Sequence, residues 1–379
     1  MDKSKWTYRK LGEVTDFSQG IQVDVNLQSE ICSPGKVRFL RIIDVTQGNV
    51  PPRYIDDPGE RYYLKTDEIA MVRYGTVGFV CYGFEGVIAN NLFKISIKDK
   101  SKLQSNYLQY FLKSDLFQTH IRKGVGGAAL PAIKFGDIKH IILGFPSLSE
   151  QQSIVDYLDS AVAKIDAMKA NAEKSLNEAK ALFQASLKEM LEPKEGWEEK
   201  PLKEICRVIN GRAYSKDEML KQGKYRLLRV GNFFTNDNWY YSNLELEEDK
   251  YCDNGDLLYA WSASFGPRIW DGEKVIYHYH IWKMVCTNEI DKYFLCYWLD
   301  SDKLKKQTMT NLHGTTMAHI TKGIIEAAHV GFPFLSEQQS IVATLDSLKS
   351  KVDRLQENYD KISQECDALK QAILRQVFE

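Results

Sequence analysis

The sequence contains one stretch twice, as GFPSLSEQQSIVDYLDS at 144–160 and as GFPFLSEQQSIVATLDS at 331–347. The copies are identical at 14 of 17 positions and lie 187 residues apart in a chain of 379. Other pairs of segments are less similar but lie nearly the same number of residues apart, such as EIAMVRYGTVG at 68–78 and DLLYAWSASFG at 256–266. Such self-similarity indicates an internal repeat, in which one domain arrangement occurs twice. The expected domains are a variable unit at 1–145, a shared segment at 146–196, a second variable unit at 197–332 and a second shared segment at 333–379.

Each shared segment has the signals of a long helix. Ser149 with Gln152, and Ser336 with Gln339, have the spacing of a capping box, and a proline lies just upstream of each pair. Apolar or small residues then recur in alternating steps of four and three, which is a heptad pattern. The predicted seam of the second helix is Ile341, Leu345, Leu348, Val352, Leu355, Tyr359, Ile362, Cys366, Leu369 and Ile373. That of the first helix is Ile154, Leu158, Ala161, Ile165, Met168, Ala172, Ser175, Ala179 and Leu182.

The two seams differ in side-chain size, being rich in Ala and Ser in the first helix and in Leu, Ile and Tyr in the second. This complementarity favours a coiled coil of the two helices over the alternative that each packs only onto a globular core. Antiparallel pairing is favoured over parallel pairing, because the chain must return through the second variable unit. About 40 residues per helix would make a rod of roughly 60 Å. An antiparallel pair would relate the two halves of the chain by a pseudo-twofold axis.

The variable units alternate short apolar runs with turns rich in Gly, Asn and Asp, and helical patterns occur near 104–118 and 291–307. This predicts mixed α/β units, each a twisted sheet with peripheral helices. The strand order cannot be derived from these runs.

The charge is unevenly distributed, although the whole chain has a net charge of −1. Residues 1–145 contain 20 Lys and Arg against 15 Asp and Glu, whereas 197–332 contain 18 against 19. The shared segments are acidic, with 6 against 9 and 6 against 8. A basic first unit fits a polyanionic partner, and the acidic helices fit protein partners better.

The remaining composition narrows the class of protein. Seven scattered cysteines without a CxxC pair, no apolar run of about 20 residues and a charged N-terminus predict a cytoplasmic protein without a disulfide framework. No phosphate-binding GxxxxGK[ST] motif occurs, and His278-Tyr279-His280 lacks the further ligands that a metal site needs. We therefore expect no catalytic residues and no metal in this chain.

The repeat resembles the specificity (S, HsdS) subunit of Type I restriction–modification enzymes over the whole chain. The motif P-x-L-S-E-Q-Q-x-I opens a long helix at Pro146 and again at Pro333. The W-x4-L-x-E start of each recognition domain of that family and its glycine-led loop before the helix are matched by Trp6, Leu11, Glu13 and Gly127, and by Trp197, Leu202, Glu204 and Gly314.

This resemblance implies that each variable unit is a target-recognition domain for one half of a split sequence in double-stranded DNA. It implies that the helices set the spacing between half-sites and dock two methyltransferase subunits, with restriction subunits joining in the full complex. S-adenosylmethionine, ATP and Mg²⁺ would then belong to those partners, and no membrane would be involved. Two alternatives stay open: a structural adaptor with two protein-binding modules on a helical strut, and a self-sufficient methyltransferase or nuclease.

Candidate DNA contacts are polar or basic residues in predicted loops, because base edges and phosphates are read by such side chains. In the first unit these are Arg38, Arg41, Arg53, Arg73, Asn90, Asn91, Arg122, Lys123 and Lys134. In the second unit they are Arg212, Arg229, Asn232, Trp261, Ser262, Arg268, His278, His280, His313, Thr315, Thr316 and Lys322. Trp239, Trp270 and Trp282 are instead expected in the core.

Overall fold

The computed structural model describes residues 3–124, 132–262, 264–309 and 321–379. Gly127, Gly314, His313, Thr315 and Thr316 lie outside these ranges. The chain divides into two compact units: unit 1 contains Met1–Glu173 and Tyr359–Glu379, and unit 2 contains Lys174–Asn358. Each long helix contributes residues to both units, so each unit is made of one variable region and parts of both shared segments.

The strands of unit 1 form three sheets. The strands are β1 (Thr7–Lys10), β2 (Thr15–Gln19), β3 (Lys36–Leu40), β4 (Arg53–Asp56), β5 (Tyr63–Leu64), β6 (Ile69–Val72), β7 (Val80–Tyr82), β8 (Gly86–Ile88), β9 (Leu92–Ile97) and β10 (Ile142–Phe145). The sheet orders are β2-β9-β6-β7, β4-β3-β8-β5 and β1-β10. All pairs are antiparallel except β3 with β8, which run parallel with Phe39 opposite Val87.

The strands of unit 2 repeat this topology. They are β11 (Glu198–Pro201), β12 (Cys206–Asn210), β13 (Tyr225–Leu228), β14 (Tyr240–Ser242), β15 (Tyr251–Cys252), β16 (Leu257–Ser262), β17 (Ser264–Ile269), β18 (Val275–Tyr277), β19 (Ile281–Cys286) and β20 (His329–Phe332). The orders are β12-β19-β16-β17, β14-β13-β18-β15 and β11-β20, and β13 with β18 is the parallel pair. The predicted α/β units with a shared plan are therefore confirmed, although each has several small sheets instead of one.

The helices also match between the units. Unit 1 has α1 (Leu11–Val14), α2 (Ile42–Thr46), α3 (Ser105–Lys113), α4 (Asp115–Gly124) and α5 (Phe135–Ile138), followed by the long α6 (Leu148–Met190) that continues into unit 2. Unit 2 has α7 (Leu202–Ile205), α8 (Val230–Phe234), α9 (Lys292–Asp300), α10 (Asp302–Met309) and α11 (Lys322–Glu326), followed by the long α12 (Leu335–Phe378) that returns to unit 1.

The N-terminus of each long helix is held by a buried glutamine, and the capping boxes predicted at Ser149 and Ser336 were wrong. Both serines already lie inside the helix, and the amide of Gln152 donates to Asp156 instead. The side chain of the preceding residue, Gln151, is fully buried. Its Nε2 donates to the carbonyls of Lys102 (2.8 Å) and Pro146 (2.9 Å), and its Oε1 accepts from the backbone N–H of Gln104 (2.9 Å).

Unit 2 has the same arrangement 187 residues later. Nε2 of the buried Gln338 donates to the carbonyls of Glu289 (2.9 Å) and Pro333 (2.8 Å), and Oε1 accepts from the N–H of Asp291 (2.7 Å). We call these two residues the clamp glutamines. They join each long helix to the loop before α3 or α9. A second hydrogen bond follows about two turns later in each helix, where the hydroxyls of Tyr110 and Tyr297 donate to Asp159 and Asp346.

Within unit 1 the start of α6 and the end of α12 run antiparallel. Asp166 pairs with Lys370 (2.5 Å) and Lys169 with Asp367 (3.7 Å), so the partner number falls as the helix advances. The thiol of Cys366 lies 3.7 Å from the carbonyl oxygen of Ile165. Both helices also enter the unit 1 core, where Phe378 meets the rings of Tyr107 and Phe111 edge-on.

Within unit 2 the end of α6 and the start of α12 pair in the same way. Nζ of Lys180 donates to Gln356 (2.7 Å), and Leu187 and Leu191 join the cluster that contains Leu345. This cluster also holds Trp298 and Phe294 of α9, so the helix pair and the globular part share one core.

The predicted seam was partly wrong. Ile154, Leu158, Ile165, Ile341 and Leu345 are buried, and Leu348, Val352, Leu355, Tyr359 and Ile362 are half-buried. Met168, Leu182 and Leu369, however, are 58%, 59% and 47% exposed. On α6, the residues that face inward are Val162, Lys169, Leu176 and Phe183. Each lies one position after a predicted seam residue, namely Ala161, Met168, Ser175 and Leu182. In α12, Lys370 takes the inner place of Leu369.

The first prediction concerns the clamp glutamines. Gln151→Met keeps the side-chain volume but leaves two carbonyls and one N–H without their partner, so we expect unit 1 to lose at least about 2 kcal/mol of unfolding free energy. Gln152→Met, on the neighbouring exposed residue, is the matched control and should change stability by less than about 0.5 kcal/mol. Urea unfolding followed by circular dichroism measures both. Equal stability of the two variants would contradict the clamp.

The second prediction concerns the phase of the seam in α6. Leu176→Ala removes a buried side chain and should lower the unfolding free energy by about 2–4 kcal/mol. Leu182→Ala, the same substitution on the exposed face, should cost about 0.5 kcal/mol or less. Thermal unfolding measures the stability of both variants. A larger loss of stability for Leu182→Ala than for Leu176→Ala would support the seam predicted from sequence instead.

Candidate nucleic-acid interface

In unit 1, four of the candidate DNA-binding residues lie near the ends of β6 and β8. The backbone N–H of Arg73 donates to the carbonyl of Asn91 (2.8 Å), and Nε of Arg73 donates to the carbonyl of Ile133 (3.2 Å). Nδ2 of Asn90 donates to Gln22 (2.8 Å). The exposed Lys134 directly follows Ile133, so a guanidinium, two amides and an ammonium group lie in one neighbourhood.

The other arginine candidates of unit 1 are bound by carboxylates. Asp44 is buried, and it accepts from Arg38 (2.8 Å) and from Nε of Arg41 (2.7 Å). Arg53 pairs with Glu30 (2.7 Å), and Arg122 pairs with Asp115 (3.4 Å) beside the exposed Lys123. Arg38 and Arg41 therefore hold α2 in place, because both bind the buried carboxylate of Asp44 in that helix.

In unit 2, four candidates line one cleft of about 390 Å³: Arg229, Ser262, His278 and His280. Val230, Gly231, Phe234, Thr235 and Ser264 complete its walls, and no carboxylate lines it within the part of the chain that the structure describes. The guanidinium of Arg229 lies 5.2 Å from the ring centre of Tyr240, and none of the described residues forms a hydrogen bond or ion pair with it. The counterpart of Asp44 is here Asn232, which instead donates to the carbonyls of Asn236 (2.8 Å) and Asn238 (2.9 Å).

The histidines of this cleft lie in a turn between β18 and β19. Burial, with smaller contributions from His280 and Arg229, lowers the pKa of His278 to about 4. The imidazole of His278 is therefore neutral at neutral pH and can both donate and accept a hydrogen bond. Arg229 thus brings a positive charge to a cleft that also offers hydroxyls and the neutral imidazole of His278.

The other candidates of unit 2 that the structure describes have partners inside the fold. Arg212 forms a two-bond pair with Glu218 (2.6 and 2.9 Å), and Arg268 donates to the carbonyl of Phe233 and to Asp271. Lys322 lies 3.5 Å from Glu326 on α11. Nε1 of Trp261 donates to the carbonyl of Tyr279 (2.8 Å). Trp270 and Trp282 are buried and Trp239 is half-buried against the core.

Sequence reasoning missed Tyr279, Phe234, Thr235 and Ser264. Tyr279 is 38% exposed and its ring centre lies 3.9 Å from that of His280. Its position between two candidate histidines was the available signal, because turn residues are the exposed ones. Phe234, Thr235 and Ser264 reach the cleft only through the folding of α8 and β17 against it.

Among the described residues, no group of three or more His, Cys, Asp or Glu side chains could hold a metal ion. Over the same ranges, the helices are too short or too polar for a membrane span.

Comparison with known proteins gives a consistent result. The chain is 23% identical over 379 aligned positions to the Type I restriction enzyme MjaVIII specificity subunit of Methanocaldococcus jannaschii, covering 92% of this chain and 87% of the relative. A solved structure described as the structural basis underlying complex assembly and conformational transition of the type I R-M system matches with a TM-score of 0.79 at 18% identity, covering 99% and 98% of the chains. The HsdS subunit from Thermoanaerobacter tengcongensis matches with a TM-score of 0.57 at 17% identity, covering 99% and 97%.

The sequence model of the Type I restriction modification DNA specificity domain matches this chain twice, at residues 3–178 and 194–364. The two matches follow the internal repeat, and together they cover most of the chain. This chain therefore belongs to the family of Type I restriction modification DNA specificity domains.

Proposed function

We propose that the chain is the DNA-recognition subunit of a Type I restriction–modification complex, and that each unit reads one half of a bipartite target in double-stranded DNA. The observation that carries this proposal is the repetition of one topology with different side chains at equivalent loops. Family membership supports the recognition role, which is non-catalytic. Chemistry requiring S-adenosylmethionine, ATP or Mg²⁺ would lie in the partner subunits.

The DNA contacts that we propose are the candidates whose side chains the folded units leave near an open loop or cleft. In unit 1 these are Arg73, Asn90, Asn91, Lys123 and Lys134. In unit 2 they are Arg229, Ser262, His278 and His280, which share the cleft of about 390 Å³. Arginine, asparagine and hydroxyl side chains are those that contact base edges and phosphates.

The long helices would act as a spacer between half-sites and as the docking surface for two methyltransferase subunits, which restriction subunits join. Helix pairing leaves large apolar side chains in solvent, among them Met168, Leu182 and Leu369. Tyr157 on α6 is 48% exposed, and Phe334, which directly precedes α12, is 79% exposed. Exposed apolar side chains of this size on paired helices support a protein partner, because burial in an interface would remove them from water.

A structural adaptor with protein partners only is the competing proposal, favoured by the near-neutral charge of residues 197–332. An electrophoretic mobility shift with DNA at low and moderate salt, with and without the methyltransferase, separates the two. Binding that needs the methyltransferase and weakens with salt supports recognition. Absence of DNA binding both with and without the methyltransferase would favour the structural adaptor.

The third prediction tests the division of labour between units. Replacing residues 1–145 with the corresponding unit of another family member should change one half of the methylated motif and leave the other half and the gap unchanged. Methylome sequencing of cells that express the hybrid with its methyltransferase reads both halves together. A change in both halves would show that the units do not read DNA independently.

The fourth prediction tests the spacer. Asp166 pairs with Lys370 and Lys169 with Asp367, so positions after Ala170 and after Cys366 face each other in unit 1. Inserting one heptad at both sites preserves the seam and lengthens the pair by about 10 Å. We expect the gap in the methylated motif to grow by roughly three base pairs, at about 3.4 Å each. An active complex with an unchanged gap would refute the spacer role.

A further inference from the structure

Two turns, one in each unit, are held by equivalent backbone hydrogen bonds. The first turn is Ala89–Asn91 and the second turn is His278–His280. The N–H of Ala89 donates to Leu40 and that of His278 to Leu228, both at 2.9 Å. The turns then close in the same manner, with Leu92 N–H donating to Ala89 (2.8 Å) and Ile281 N–H to His278 (2.9 Å).

The end of one central strand is tied to each turn as well. Arg73 N–H donates to the carbonyl of Asn91 (2.8 Å), and Trp261 N–H donates to the carbonyl of His280 (3.1 Å). These bonds make Asn90 equivalent to Tyr279, Asn91 to His280 and Arg73 to Trp261. The backbone therefore presents three matched side-chain positions in each unit.

The chemistry at these matched positions differs between the units, whereas nearby framework residues are kept. Leu40 and Arg41 correspond to Leu228 and Arg229 on the same strand ends. A residue kept in both units, such as Leu40 and Leu228, fits a role common to both, such as strand packing. Side chains that differ between the units at matched backbone positions fit the function in which the two units differ.

The first turn offers hydrogen bonds. Asn90 presents an amide, whereas Oδ1 of Asn91 is buried, and Arg73 presents a guanidinium oriented by its bond to the carbonyl of Ile133 (3.2 Å). Amides pair with adenine N6 and N7, and guanidinium groups pair with guanine O6 and N7, in the major groove. The first turn is therefore suited to the polar edge of a purine.

The second turn offers aromatic surface. The ring centres of Tyr279 and His280 lie 3.9 Å apart, and that of Trp261 lies 5.1 Å from His280 and 6.1 Å from Tyr279. Tyr279 is 38% exposed at the outside of this cluster. Such a surface suits apolar contact, which in the major groove distinguishes the methyl group of thymine.

We propose that these two turns set the difference in base preference between the half-sites, the first turn reading a purine edge by hydrogen bonds and the second turn reading an A·T pair through ring contact with the thymine methyl. This inference rests on the proposed function, in which each unit reads one half-site. It adds the residues responsible and the kind of base that each would select.

The experiment uses the full chain in complex with its methyltransferase subunits. Tyr279→Asn gives the second turn the side chain found at the matched position of the first. Asn90→Tyr makes the reverse change in unit 1. Tyr293→Asn, on an α9 tyrosine that is 42% exposed, is the matched control outside the turns. Methylome sequencing and competition binding with single-base-pair variants of the target measure the preference.

We expect Tyr279→Asn to reduce discrimination at one A·T position of the second half-site on the order of tenfold or more, with the first half-site unchanged. Asn90→Tyr should alter a purine position in the first half-site only, and Tyr293→Asn should alter neither. Circular dichroism establishes that each variant is folded. If Tyr279→Asn does not fold, Tyr279→Ala, which removes the same ring without adding an amide, keeps the inference testable and should reduce discrimination at the same A·T position.

Two results would overturn the inference: an unchanged motif in both folded turn variants, or equal weakening on all sequences, which is the mark of a phosphate contact. The wild-type complex is a separate arm. If it methylates no bipartite motif, the proposed function fails; if it does and the variants leave the motif unaltered, only the assignment of the two turns fails.

Discussion

The architecture depends on one buried carboxamide, used twice. Gln151 and Gln338 each satisfy two carbonyls and one N–H at the junction of a long helix with its globular part. Glutamate would lack the donors and leucine would lack both functions, and an unsatisfied buried backbone group costs about 1–3 kcal/mol. This requirement explains why the segment around each clamp glutamine is nearly identical in two halves that otherwise diverged.

The clamp has a structural consequence for recognition. The DNA-recognition surface of each unit must be held rigidly on the helices that separate it from the surface of the other unit, because errors in position weaken contacts with bases. The clamp glutamines and the Tyr110–Asp159 and Tyr297–Asp346 bonds connect helix to module at several points. In both units the shared core continues from the sheets into the helix pair. The modules can therefore change their loops while the junctions remain the same.

The two units illustrate this separation of framework and surface. Asp44 forms ion pairs with both Arg38 and Arg41 in unit 1, whereas Asn232 leaves Arg229 without a carboxylate in unit 2. The near-neutral total charge therefore does not show that the two units differ in local charge. Residues 197–332 have no net positive charge, yet their cleft contains an arginine without a bound carboxylate and has no acidic lining among the described residues. Local placement, more than composition, decides what such a surface can bind.

Sequence alone determined the repeat, the two long helices, the α/β character of the units and the helices that became α3, α4, α9 and α10, because repetition and periodicity are local properties. It could not determine the phase of the α6 seam, since Ala161 and Val162, or Met168 and Lys169, fit a period of 3.5 equally well until the partner helix is in place. Nor could it assign Gln151 instead of Ser149 as the residue holding the helix end. Strand order, the pairing of Arg41 with Asp44 and the gathering of Arg229, Ser262 and His278 around one cleft depend on contacts between distant residues. Only the tertiary structure decided these, because they arise from packing and charge compensation between segments that no local pattern connects.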